Sequence, residues 1–222
     1  MSKNIKFTIY SALAFVLLGL GISLQIKAAI GQSMFNAFAL TLSDTFNLKI
    51  GTILNIINLL FFTSYLIIRR TRLNYTDIVQ VIATIANGYV INFFVYYVFS
   101  NLTIEIYIYK IIIFLIGLAL SSINLGIILA IGIVKFPLES LCLIIGNILK
   151  KKLSTIRMSF DIIFLITTLG ITFISGNTLY IREGTIISFI LLSNLLGISY
   201  TFFKKIIDKG VDYVQIYFTR YR

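Results

Sequence analysis

Residues 28–52 read AAIGQSMFNAFALTLSDTFNLKIGT, and residues 131–155 read IGIVKFPLESLCLIIGNILKKKLST. Set side by side, Met34-Phe35-Asn36 falls against Pro137-Leu138-Glu139, and Leu48-Lys49-Ile50-Gly51-Thr52 falls against Lys151-Lys152-Leu153-Ser154-Thr155 at the same spacing. Each stretch covers part of an apolar segment that is interrupted. Ala28 to Leu48 holds Gly31, Asn36, Asp44 and Asn47; Ile127 to Leu149 holds Gly132, Lys135, Pro137 and Glu139. How these two segments are threaded decides the fold.

Around them lie six apolar runs near the ~20 residues that a membrane-crossing helix needs: Phe7 to Ile26, Ile50 to Ile68, Thr76 to Phe99, Tyr107 to Gly126, Ile156 to Ile174 and Thr185 to Phe203. The basic residues sit between runs. Lys3 and Lys6, then Arg69, Arg70 and Arg72, then Lys150, Lys151, Lys152 and Arg157, then Lys204, Lys205, Lys209, Arg220 and Arg222 form four clusters. Lys27, Lys49, Lys110, Lys135 and Arg182 stand singly. Basic clusters flanking spans stay on the cytoplasmic side. All four clusters reach that side only if Ala28–Leu48 begins and ends outside and Ile127–Leu149 begins and ends inside. Eight full crossings would put Arg69, Arg70 and Arg72 outside. The sequence therefore predicts an all-α, polytopic membrane bundle with six full spans, two broken or re-entrant segments, and both termini in the cytoplasm. Each half reads span, broken segment, span, span, with Thr76 and Gly88 matching Thr185 and Gly197. Three spans per half invert the second half relative to the first. The expected units are a first repeat over 1–104, a second over 105–204 and a basic tail over 205–222.

Composition agrees. Hydrophobic residues make up 59% of the chain and charged residues 12%, half the share of a soluble domain, and mean hydropathy is +0.98. The net charge of +11 is parcelled into topology clusters rather than one face, so nucleic acid is not the expected partner; the lipid bilayer is. Histidine is absent and Cys142 is the one cysteine, which excludes His-based hydrolysis, His-ligated metal sites and an internal disulfide. No P-loop or paired-cysteine motif is present. The expectation is a protein that is not an enzyme and uses no cofactor.

Polar residues inside the runs mark where chemistry can lie. Asp161, early in the fifth run, stands where Asn58 stands in the second. A carboxylate in hydrocarbon is costly and turns toward a wet interior; the bland account is an interfacial residue paired with Arg157 at i, i+4. Glu139 follows Pro137 in the second broken segment, where freed backbone groups bind solutes or ions in transporters; the bland account is a surface pair with Lys135. Asn36 is its counterpart in the first. Asn36, Asn58, Glu139 and Asp161 are thus the candidate site for a small solute or cation. Asn55, Asn87, Asn92, Asn124 and Asn194 either line the interior or bond between helices. Gly19, Gly21, Gly31, Gly117, Gly126 and Gly132 read as packing and bend positions. Arg182-Glu183-Gly184-Thr185 reads as a helix cap, not an anion turn. The tail, with Tyr213, Tyr217, Phe218 and Tyr221 among its charges, reads as an amphipathic helix on the inner leaflet.

Gly19-Leu20-Gly21-Ile22-Ser23-Leu24, Ala28-Ala29-Ile30-Gly31, Met34-Phe35-Asn36 and Leu48-Lys49-Ile50-Gly51-Thr52 follow an order that resembles the YczE-like membrane proteins, relatives of the bacterial YitT group. The resemblance covers nearly the whole chain. Where that family has Pro-Trp-Asp, this chain has Met34-Phe35-Asn36, and Pro137-Leu138-Glu139 is nearer the pattern. Asn74-Tyr75-Thr76 replaces a Gly-x-Gly-Thr turn, while Gly184-Thr185 keeps its end. The resemblance implies an architecture and no substrate. The function expected first is a small secondary transporter or permease component; second, a non-transporting membrane partner or regulatory subunit of another membrane protein; third, a channel.

Overall fold

The computed structural model describes residues 3–70, 73–132, 136–151 and 153–220. Among them are eight α-helices: α1 (Lys3–Ala28), α2 (Met34–Phe46), α3 (Ile50–Arg69), α4 (Tyr75–Phe93), α5 (Tyr107–Ile131), α6 (Pro137–Leu149), α7 (Leu153–Ser175) and α8 (Glu183–Arg220). A π-helical turn, Phe94–Val98, prolongs α4. Six of the helices are long and apolar enough to cross a bilayer. The two others, α2 and α6, have 13 residues each. Such a helix is about 20 Å long, short of a ~30 Å hydrocarbon core. These are the two interrupted segments.

Why they are short is local. Gly31 has φ +112°, and a side chain there would meet the backbone nitrogens of Arg182 and Thr185 at 3.0 and 3.1 Å. The chain from α1 into α2 is therefore extended and fastened to the first turn of α8 and the segment before it: Gly184 N donates to Ile30 O (2.7 Å) and Gln32 N to Tyr180 O (3.2 Å). In the other half Pro137 occupies the first turn of α6, where its missing N–H costs nothing. Each short helix ends on a left-handed residue, Asn47 or Lys150, and turns straight into the next helix. Tyr180, outside the spans, donates to Asp44 Oδ2 at 2.6 Å. Burial, reinforced by that carboxylate, raises the Tyr180 pKa, so the phenol stays protonated and the bond persists.

Helix directions follow from the contacts. Gln25 Nε2 bonds Ser121 Oγ at 2.9 Å, Leu18 packs near Ile128 and Ala28 near Phe114, so α1 and α5 run antiparallel. Their crossing is held close by Gly21 and Gly117: a Cβ on Gly117 would lie 2.6 Å from Gly21 O. By contrast α1 and α4 run parallel, with Phe15 near Val79 and Ser23 Oγ reaching Ile91 O. α5 and α8 also run parallel, with Phe114 beside Ile187 and Ser199 Oγ donating to Ile123 O at 2.8 Å. Parallel α1 and α4 require an even number of crossings from the end of α1 to the end of α4, counting α4 itself. That holds only when α2 turns back, and the same argument applies to α6. The starts of α1 and α4 and the ends of α3, α6 and α8's span thus share one end of the bundle.

The halves interlock rather than sit apart. α2 packs on α7 and α6 on α3, and Phe35, Phe38, Phe61, Phe160 and Phe164 form an aromatic knot between them. α3 and α4 also pack closely: Gly88 admits the Asn55 amide, Gly51 N donates to Asn92 Oδ1, and Arg69 grips Asp77 in a bidentate pair at 2.6 and 3.0 Å. Asp77 at the same time caps α4 through Asn74 N. Among the described residues α7 and α8 have no comparable seam, and a side chain on Gly197, the counterpart of Gly88, would meet nothing within 4 Å. α8 is continuous from Glu183 to Arg220, so the tail prolongs the last span instead of forming a separate helix. Side chains from residue 208 onward, and the tail's proposed leaflet-facing surface with them, lie outside the described residues.

Candidate functional site at the meeting of two half-helices

The first turns of α2 and α6 meet at the centre of the bundle, where Met34 and Phe35 pack into one cluster with Leu138 and Cys142. Beside them opens a cavity of about 480 Å³ lined from both halves. Asn36, Asn58, Glu139 and Asp161 all lie on its wall. Asn36 and Glu139 project from equivalent positions in the first turns of the short helices, and Asn58 and Asp161 from equivalent positions on α3 and α7. Lys135, considered as Glu139's partner, lies outside the described residues.

Glu139's partner is Arg157. Its Nη1 donates to Glu139 Oε1 at 2.6 Å, while its Nε lies 3.5 Å from Asp161 Oδ1. One guanidinium therefore serves two carboxylates, tightly on Glu139 and loosely on Asp161. The i, i+4 pairing with Arg157 and a place on the cavity wall both hold for Asp161. In the first half the position of Arg157 is taken by Leu54, also on the wall. The same three places are thus charged in one half (Glu139, Arg157, Asp161) and uncharged in the other (Asn36, Leu54, Asn58).

The other intramembrane asparagines divide. Asn55 and Asn87 line the cavity. Asn92 accepts from Gly51 N at the start of α3, Asn124 bonds Leu120 O within its own helix, and Asn194 bonds Ile190 O on an exposed face. Asn36 and Asn58 make no side-chain hydrogen bond among the described residues. Asn55 Oδ1, Asn87 Oδ1 and Ser188 Oγ are buried without a partner among them as well. Such orphans are expensive in a protein interior. The sequence reading missed Arg157 as the centre of the site, Ser188, and Gln25. The last of these lines the wall while bonding Ser121. Arg182-Glu183-Gly184-Thr185 is a cap: Arg182 N donates to Thr185 Oγ1 at 3.1 Å.

Six helices of membrane-spanning length, with two short helices that bring their N-termini to a shared cavity, define a class: polytopic helical membrane proteins. Within that class, this chain belongs to the family of unknown function DUF6198, whose model matches residues 5–201. It is similar to the uncharacterized protein YyaS of Bacillus subtilis (strain 168), with 26% identity over 157 residues, 71% of this chain and 77% of that protein. No solved structure matches the chain.

Proposed function

We propose that this protein is a small secondary transporter or permease component, with its solute site in the central cavity and Glu139 and Asp161 as the ionisable groups that take up a proton or cation. One observation carries the reading: two half-helices, one from each half, bring their first turns to a single cavity whose wall holds two carboxylates sharing one arginine. Charge placed in a bilayer interior without a task is selected against, and half-helices meeting at a midplane site are how many carriers hold their cargo.

The antiparallel α1 and α5, equivalent helices of the two halves, support an inverted repeat. So does the reciprocal packing of α2 on α7 and α6 on α3. The positive-inside rule then sets both termini in the cytoplasm of a bacterial inner membrane. In such repeats the two halves exchange conformations to expose the site alternately. Here the α3–α4 seam is closed and the α7–α8 gap open, as one end state of that exchange would be. The resemblance to YczE-like proteins adds architecture to this reading and no substrate.

Neutralising both acids, Glu139→Gln with Asp161→Asn, should abolish solute flux in reconstituted vesicles while membrane insertion and yield stay unchanged. Undiminished flux would remove these residues from the mechanism. A second reading, a partner or regulatory subunit of another membrane protein, draws on the length of α8 beyond the bilayer. Removing 205–222 should cost complex formation under this reading and have little effect under the transporter reading.

A further inference from the structure

The cavity is shut on one side of the bundle and open on the other. Toward α4 it is closed by the α3–α4 seam, where Gly51 N donates to Asn92 Oδ1 and the Asn55 amide fills the space at Gly88. The matching positions of the second half lack both asparagines. Met158 stands in place of Asn55 and is 53% exposed. Thr201 stands in place of Asn92, and its hydroxyl donates to Gly197 O of its own helix at 2.8 Å. Asp161 of α7 and Phe189, Leu192 and Leu196 of α8 line the cavity, yet Phe189 is also 55% exposed. Phe189 belongs to the membrane-spanning part of α8, so the medium it is exposed to is hydrocarbon. The cavity therefore meets the bilayer between α7 and α8.

The wall itself is mostly apolar surface. Several of its polar side chains are bonded within the bundle: Gln25 to Ser121, Ser122 to Leu118 O and Thr84 to Gln80 O. Glu139, Arg157 and Asp161 are paired with one another and keep partial exposure. Asn36 and Asn58 add two amides to the same wall, each able to donate and to accept. Among the described residues the wall thus offers hydrogen bonds rather than free charge, beside a large apolar surface that opens sideways into lipid. A molecule with a hydroxyl-bearing end and a hydrocarbon end fits that pattern. Its hydroxyls meet the amides and ion pairs, and its chain stays in an apolar medium throughout as it passes between α7 and α8. The volume of about 480 Å³ falls among sites that enclose one drug-sized ligand, room for one chain rather than the two of a phospholipid.

We infer that the cavity takes a single-chain amphiphile with an uncharged, hydroxyl-bearing headgroup from the bilayer, through the opening between α7 and α8. The headgroup lies among Asn36, Asn58 and the Glu139–Arg157–Asp161 group, and the chain runs along Leu192 and Leu196 and out past Phe189. This deepens the transporter reading and rests on it, since it names what that same cavity would carry.

The chain has no tryptophan, so a single introduced one is an unambiguous fluorescent reporter. Phe136→Trp and Leu192→Trp each place it on the cavity wall, and either can serve if the other misfolds. Phe173→Trp, 90% exposed on α7, places it toward lipid as the control. Each full-length variant is reconstituted in phosphatidylcholine liposomes and titrated with decanoylglycerol brominated on its chain, since bromine quenches tryptophan on contact. Quenching of the wall variants should saturate at mole fractions where Phe173→Trp barely responds, and unbrominated decanoylglycerol should reverse it. Brominated decylamine and decanoic acid should need about tenfold more or worse, because a charged head is costly to bury without a free counter-charge. Asn36→Leu with Asn58→Leu, added to the Leu192→Trp variant, should raise the half-saturating fraction about tenfold as two headgroup hydrogen bonds are lost. Wall quenching that only tracks Phe173→Trp, an amine or acid that saturates as readily as the glyceride, or indifference to the loss of both amides would each overturn the inference. The two ideas fail separately. Saturable quenching in a protein that shows no solute flux keeps the ligand and removes the carrier. Flux of a water-soluble solute that excess decanoylglycerol leaves unchanged keeps the carrier and removes the ligand.

Discussion

Arg157 sits between two carboxylates and, among the described residues, is the one cation of the cavity wall. Removing it leaves two like charges facing each other in a poorly solvated space, which costs more than the pair itself contributes. Arg157→Met should therefore lower unfolding stability in detergent by about 1–3 kcal/mol, the low side of the buried range because all three side chains keep partial exposure. Adding Glu139→Gln and Asp161→Asn to that variant should recover most of the loss, as read from thermal unfolding midpoints. A triple variant no more stable than the single one would mean that the arginine's stem, not its charge, is what matters. Glu139 and Asp161 were legible in the sequence because a carboxylate inside an apolar run has no cheap explanation. Arg157 was not. It follows three lysines, and the topology rule had already accounted for it. Ser188 gave no signal either, because a buried serine usually bonds its own helix, and only the fold shows that this one lacks a partner.

Among the elements, α2 and α6 could be read from length and interruption, and the re-entrant threading from the basic clusters. The extended link at Ile30–Gln32 could not be read, because its hydrogen-bond partners, Tyr180 and Gly184, lie just before and at the start of α8, far along the chain. Nor could the π turn after α4 or the continuity of α8, since neither leaves a periodic trace. The glycines at the α1–α5 crossing were readable as packing positions, though not as each other's partner. Gly117→Val should destabilise the bundle by about 1–3 kcal/mol, because a Cβ 2.6 Å from the Gly21 carbonyl forces two backbones apart. Gly170→Val, where nothing lies within 4 Å of the added carbon, should change the unfolding midpoint little by comparison. Equal effects at the two sites would mean that helix propensity, not the crossing, sets the cost.

At the scale of the molecule, each half supplies the surface on which the other half's short helix rests, so neither is expected to hold its shape alone. The threading makes a direct prediction. In a Cys142→Ser background, single cysteines at exposed positions 47, 101 and 178 should react with a membrane-impermeant maleimide in intact cells, whereas those at 73 and 151 should react only after the membrane is opened. Labelling of position 73 from outside would make α2 a full crossing and undo the inversion. The pairing of α2 with α7 and α6 with α3 was not legible. The matched segments gave the expectation of two similar halves, but which of their faces pack together depends on shapes such as the phenylalanine knot, whose members are scattered over α2, α3 and α7.

Cys142 is fully buried and lines the same cavity as Glu139 and Asp161. The chain thus carries a built-in chemical clock at its centre. A small thiol reagent can reach that sulfur only as fast as the bundle opens, and an occupied cavity should slow the reaction further. In the unaltered protein the speed of one alkylation reports both how often the path to the interior is open and whether anything already fills it.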